Sequence, residues 1–208
     1  MFEIIKAGGW LMLPLLACSV VAAAIIIERL WTLQQKRVLP QNLTSRVWDW
    51  VQKNQLNDEH LLTLRRSSPL GEVLAAGLIN RDREPHEIRE SIEDTGRHVV
   101  HEMERFLNSL GTIAAISPLL GLLGTVIGMV KVFAAITAHG VGNPSVLAGG
   151  ISEALITTAA GLSVAIPALI GYRYLRGRVE SLVVQMEKES IKLVDQIRDG
   201  KLLGDPQQ

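Results

Sequence analysis

The chain has 208 residues, with 21 basic and 21 acidic side chains and zero formal net charge. Its mean hydropathy is +0.24, and its charges are segregated into blocks, which is the composition of a membrane protein and not of a soluble domain. Balanced charge and few aromatics exclude an electrostatic or stacking footprint for nucleic acid, and the single Cys18 implies no disulfide framework.

Residues 1–9, "MFEIIKAGG", form a short flank before the first apolar run. That run, 10–30, "WLMLPLLACSVVAAAIIIERL", has no charge between Trp10 and Ile27. It reaches the ~20 apolar residues that a helix needs to cross the hydrocarbon core. A cleaved signal sequence is the competing reading. The flank carries only one Lys and one Glu, and the core is long, so a spanning helix is preferred.

Residues 31–109 hold most of the charge and read as a helical domain. Asn42 or Thr44 is placed to cap "VWDWVQK", and Ser68 to cap "PLGEVLAAGLI" with Pro69 at its first position. From Pro85, the residues Ile88, Ile92, Thr95, Val99, Met103, Phe106 and Leu110 recur at steps of three and four. Nothing in the pattern interrupts this helix before the next span, although Gly96 weakens it. No nucleophile–base pair appears, so an enzyme is not expected. His98 and His101 lie three apart on a helix but lack a carboxylate or Cys partner, so no metal or other cofactor is expected.

Two further spans follow, 110–136 and 146–172, joined by a loop at 137–145. Pro118 and Pro167 lie inside them, as Pro14 lies inside the first. Membrane helices tolerate this where neighbours satisfy the freed carbonyls. Residues 173–208 form a charged tail in which Val179, Leu182, Met186, Leu193 and Ile197 mark one helical face. The predicted fold is therefore all-α, an integral membrane protein with three transmembrane helices and long helical extensions of spans two and three. At ~1.5 Å per residue each extension reaches roughly 35–40 Å. The apolar faces of the extensions need a partner, either each other or neighbouring subunits.

Lys and Arg flank the spans unevenly. Arg29, Lys36 and Arg37 follow the first, and Arg173, Arg176 and Arg178 follow the third, whereas the 137–145 loop has neither. The positive-inside rule then puts the N-terminus and that loop outside, and both charged blocks and the C-terminus in the cytoplasm.

In span two, Gly121, Gly124 and Gly128 form a smooth strip on which another helix can approach closely; Gly161 extends a similar surface in span three. Thr125 and Thr158 fall near the midpoints of their spans, so their hydroxyls are expected at about one depth. Glu153 lies ~7–8 Å further out. It is the ionisable residue well inside a span, with Lys131 just inside the end of span two. Burying a carboxylate is costly unless it is neutral, paired or wet. Glu153 therefore either reaches interfacial water or lines a polar cavity. Helical spacing pairs it with Thr157, one turn on. No second carboxylate stands at mid-membrane, so a proton crossing here would need a titrating group from a partner.

The stretches "LGTIAAISPLLGLLGTVIGMVKVF" and "GGISEALITTAAGLSVAIPALIGY" resemble the paired signatures of the MotA/TolQ/ExbB proton channel family, most closely its ExbB and TolQ branch. The resemblance is strong over 107–178 and weak over the middle block. It implies a homopentamer in a bacterial inner membrane, with spans two and three lining a pore. Inside that pore an ExbD- or TolR-like single-span partner would carry the titrating Asp, and work would pass to a TonB- or TolA-like protein. It implies that Thr125 and Thr158 line the pore and that Glu153 lies on the proton path. Thr157 and Ser152 stand where alanine is usual, and Thr157 is the lesser candidate. MotA-like stators usually have four spans and fit less well. A scaffold that holds a partner helix and conducts nothing is the alternative of a different class.

Overall fold

The structure is a computed structural model that describes residues 8–52, 56–140 and 144–203. The expectations for 1–7, 141–143 and 204–208, in the flank, the outer loop and the tail, lie outside the described residues. Every regular element among the described residues is helical. In chain order these are α1 Met12–Thr32, α2 Gln35–Val38, α3 Leu43–Gln52, α4 Asp58–Ser67, α5 Pro69–Ile79, α6 Pro85–Met103, α7 Leu107–His139 and α8 Pro144–Leu203. Three helical stretches, within α1, α7 and α8, are long and apolar enough to cross a membrane. The chain divides into two compact units. One comprises 1–29 and 106–175, the other 30–105 and 176–208.

The first unit is built from the apolar helices. Small residues bring backbones together in α7 and α8. A Cβ on Gly161 would lie 2.6 Å from the Ser117 carbonyl and 3.1 Å from the Gly121 Cα. A Cβ on Gly128 would lie 2.8 Å from the Ala154 Cβ and 2.8 Å from the Gly150 carbonyl. Gly171 receives the Ile26 side chain from α1, at 2.8 Å from the same hypothetical atom. Leu13, Val20 and Ile27 on α1 stay exposed within the chain, as suits a helix with lipid on one side.

The second unit has α5 as its centre. Leu70, Val73, Leu74, Ala75 and Leu78 are all buried, so this short helix is covered on most sides. Ser68 caps it by accepting from the Gly71 N–H at 3.0 Å, with Pro69 at the first helical position. That local structure follows from residue type: the hydroxyl satisfies one of the orphan donors, and proline has no donor to lose. From α6 and the tail of α8, Ile92 and Leu193 both pack beside Gly77. Val179, Leu182, Met186, Leu193 and Ile197 are all buried. The two extensions therefore bury apolar faces within one chain. They leave a groove of about 710 Å³ lined in part by Val73, Ile92, Gly96 and Met186.

Two local expectations are corrected. The apolar periodicity implied one unbroken helix from Pro85 into the second span, but the helix stops at Met103 and restarts at Leu107. Phe106 turns left-handed, with φ of +64°, and leaves the apolar face. Its ring lies under the Arg29 guanidinium, 5.5 Å from the ring centroid, a cation–π contact that favours the turned-out position. The second correction concerns α3. Asn42 has φ of +63° and not the extended backbone of a capping residue, and Thr44 is already inside the helix. The Thr44 hydroxyl donates instead to Glu189 Oε2 at 2.6 Å.

Two outcomes follow. Gly161→Ala is expected to destabilise the fold by about 1–3 kcal/mol, because the new methyl meets backbone that cannot give way; thermal unfolding in detergent measures it. Glu189 is held below the usual carboxylate range, first by its hydrogen bond from Lys192 and then by that from Thr44. A lowered carboxyl value means stability that is present above the ordinary glutamate value and lost as pH falls through the folded one. Thr44→Val is expected to cost under about 1 kcal/mol at neutral pH, since the site is partly exposed. The difference from the wild type should shrink as Glu189 becomes protonated in acid, which unfolding at a series of pH values would show.

Candidate functional site

The candidate residues lie where α7 and α8 run antiparallel in the first unit. Lys131 stands eight residues before the end of α7, and Glu153 nine residues after the start of α8. Those offsets put the two side chains at one level. Lys131 Nζ donates to Glu153 Oε1 at 2.6 Å, a direct ion pair. The Glu153 side chain is 21% exposed and that of Lys131 52%. The carboxylate thus sits inside the hairpin, and the long lysine stem reaches it from a more open position. Pairing is how a helix bundle in a membrane holds a charge that would otherwise need water.

Backbone from the N-terminal segment closes over the same place. Gly9 has φ of +71°, and a Cβ there would collide with Glu153 Oε1. Thr157, 1% exposed, faces the Gly8 carbonyl at 2.9 Å and the Glu153 carbonyl at 2.8 Å. One hydroxyl has one proton, so these two acceptors share it. Thr157 fits because Gly124 opposite it has no side chain: a Cβ there would collide with the Thr157 methyl.

Thr158 points elsewhere. Its hydroxyl donates across the helix pair to the Gly121 carbonyl at 3.0 Å. Thr125 donates to the Leu122 carbonyl of its own helix at 2.6 Å. The structure therefore joins Glu153, Thr157 and the Gly8–Gly9 backbone in one cluster and ties Thr158 to α7 at Gly121. Thr125 is satisfied one turn along α7. The short N-terminal contact and the lysine partner were not among the expected site residues. The lysine had a signal, since Lys131 and Glu153 lie at similar distances in sequence from the 137–145 segment between the two spans. The glycines had none beyond their permissive backbone.

Within the described residues no group of three or more His, Cys, Asp or Glu is arranged to hold a metal ion. The chemistry available here is charge pairing and hydroxyl hydrogen bonding.

Gly9→Ala is expected to lower stability by about 1–3 kcal/mol through left-handed strain, and by more through the collision with Glu153. Thermal unfolding of Gly9→Ala, alone and combined with Glu153→Ala, isolates the Glu153 contact as the loss that truncating Glu153 relieves.

Comparison with known proteins identifies the family of the chain. The sequence model of the MotA/TolQ/ExbB proton channel family matches residues 65–188. A Synechocystis protein named ExbB-like 1, for biopolymer transport, is 38% identical over 176 residues, covering 81% of this chain and 67% of its own. A second Synechocystis protein, ExbB-like 3, is 31% identical over 192 residues, covering 90% and 91%. TolQ of the Tol-Pal system in Haemophilus influenzae is 32% identical over 181 residues, covering 81% and 78%. With a family match over more than half its length and such relatives, the chain belongs to the MotA/TolQ/ExbB proton channel family.

Proposed function

We propose that the chain is an ExbB-like ring subunit of a proton-driven motor in a bacterial inner membrane. Five copies would surround the single-span helices of an ExbD-like partner, and the work would pass to a TonB-like protein that serves outer-membrane transport. The N-terminus and the 137–145 loop lie on the periplasmic side and both charged blocks in the cytoplasm. The uneven placement of Arg and Lys around the spans supports that orientation.

One observation carries the reading. Glu153 is the only carboxylate in the two spans 110–136 and 146–172, and it is already paired with Lys131. A proton passing between these helices must therefore ride on a group from outside the chain. The chain supplies hydroxyls at Thr125 and Thr158, each half-buried on the α7–α8 pair, as the pore lining at the level of that group. Thr157 and Glu153 form the outer end of the path. A TolQ-like role in envelope integrity is the second reading, supported by the Haemophilus influenzae relative, because the same path serves either machine.

Proton flux into liposomes tests the proposal. Flux is expected only when the single-span partner is reconstituted with the chain, and Thr158→Val and Glu153→Ala should each reduce it to the level of empty liposomes. Unchanged flux in both variants overturns the site assignment. Absence of flux in the wild-type complex favours the scaffold.

A further inference from the structure

The stretch between the first span and α3 is basic in a chain without net charge. From Arg29 to Trp48 it carries Arg29, Lys36, Arg37 and Arg46 and no acid. Arg29 is buried and meets Glu28 at 2.7 Å, so a ligand does not reach it. Lys36 and Arg37, on α2, are exposed. The Arg37 guanidinium lies over the Trp31 ring, 4.6 Å from its centroid. Arg178 adds a cation at this end of α1, where its Nε donates to the Leu33 carbonyl at 3.4 Å. Among the described residues, no carboxylate pairs with Lys36, Arg37 or Arg178. Trp31 and these three cations all belong to the second unit.

Trp31 fixes the depth of the cluster. It is the penultimate residue of the apolar helix α1 and is 61% exposed. Ile27, one turn earlier on the same helix, is exposed as well. A tryptophan at the end of a span sits at the boundary between hydrocarbon and headgroups. The headgroup layer extends ~5–8 Å beyond the hydrocarbon. A guanidinium 4.6 Å from the ring therefore lies within that layer.

We propose that Trp31, Lys36, Arg37 and Arg178 form a binding site for the phosphate of an anionic phospholipid. The Arg37 fork offers two parallel N–H donors to phosphate oxygens, and Lys36 and Arg178 add positive charge. The ring of Trp31 packs beside the upper part of the lipid chain. It also holds Arg37 in place before the lipid arrives, which lowers the ordering cost of binding. A zwitterionic lipid gains less, because the cluster has no acid to receive its ammonium group. The inference needs the membrane spans alone and is independent of the motor reading.

The test is thermal unfolding of the full-length chain in neutral detergent with phosphatidylglycerol, phosphatidylcholine or inorganic phosphate at equal concentration. Phosphatidylglycerol is expected to raise the unfolding temperature by about 2–4 °C more than phosphatidylcholine. Inorganic phosphate is expected to give less than half the rise of phosphatidylglycerol, since it has no chain to lie against Trp31. Trp31→Leu and Arg37→Gln are each expected to lose at least half of the difference between the lipids. Both positions are exposed, so both variants are expected to fold, and if one is not recovered the other decides. Arg176→Gln is the control for bulk charge. It makes the same charge change in the same unit, but Arg176 is already engaged by Glu180 at 3.4 Å. It is expected to keep more than half of the difference.

Equal rises with the two lipids in the wild type overturn the proposal. So does a loss of less than half in either site variant, or a loss of half or more in Arg176→Gln. A rise with inorganic phosphate that is half or more of that with phosphatidylglycerol assigns the site to the free anion and overturns the lipid as its ligand.

Discussion

The close approach of α7 and α8 is the constraint on which the rest of the candidate site depends. It is made by absent side chains. Gly161 lies on the Ser117 carbonyl, Gly128 on Ala154, and Gly124 opens the space that Thr157 fills. In lipid there is no hydrophobic gain from bringing two apolar helices together, so contact must come from packing and interhelical hydrogen bonds. The glycines provide the first, and the Thr158-to-Gly121 bond provides one of the second. Once the backbones are this near, the levels of the remaining groups are determined. Lys131 meets Glu153 because the two stand at matching offsets from the facing ends of α7 and α8.

The ion pair then decides what kind of site this is. Alone, Glu153 would have to be neutral or hydrated, because an isolated charge inside a membrane is expensive. Paired with Lys131 at 2.6 Å, it has a counter-charge in direct contact. The Gly8–Gly9 backbone completes the enclosure in a way no other residue type allows. At φ of +71° an L side chain is strained, and here it would also strike the carboxylate oxygen. Thr157 holds the segment in place through the Gly8 carbonyl. Three features that seem independent in the sequence, a lysine near a span end, a glycine pair before the first span and a threonine after Glu153, are thus one construction.

How much of this was legible follows from the range of each interaction. The three long apolar helices, the Ser68 cap and the buried stripe of the tail rest on local composition and helical period, and they read directly. The spacing of Gly121, Gly124 and Gly128 marks a face of α7, yet it does not say which residues of α8 fill that face. That needs the pairing of two helices, and so does the partner of Glu153, for which helical spacing offered only Thr157. The break at Phe106 was hidden for a different reason. Its position agrees with the apolar period, but Arg29, far away in the chain, holds the ring in another place. The Thr44 hydroxyl was read as a local cap and serves a contact 145 residues away. In each miss a long-range partner outcompeted a sound local signal.

On the proposed function, the pairing of Glu153 bears on the division of labour between the chain and a proton-carrying partner. A carrier must exchange its proton and therefore must spend part of its cycle neutral and part charged. Glu153 is not free for that role, because its carboxylate is already engaged by Lys131 at 2.6 Å. Thr125 and Thr158 do not ionise in this pH range, but each offers an oxygen and a rotatable proton to a neighbouring group. In the structure each spends that proton on a backbone carbonyl, Leu122 or Gly121. The hydroxyl oxygens retain lone pairs and can accept a further hydrogen bond while these bonds persist. On the proposed reading, the chain contributes a neutral, hydrogen-bonding wall and a closed ion pair, and the charge that moves belongs to the helix it surrounds.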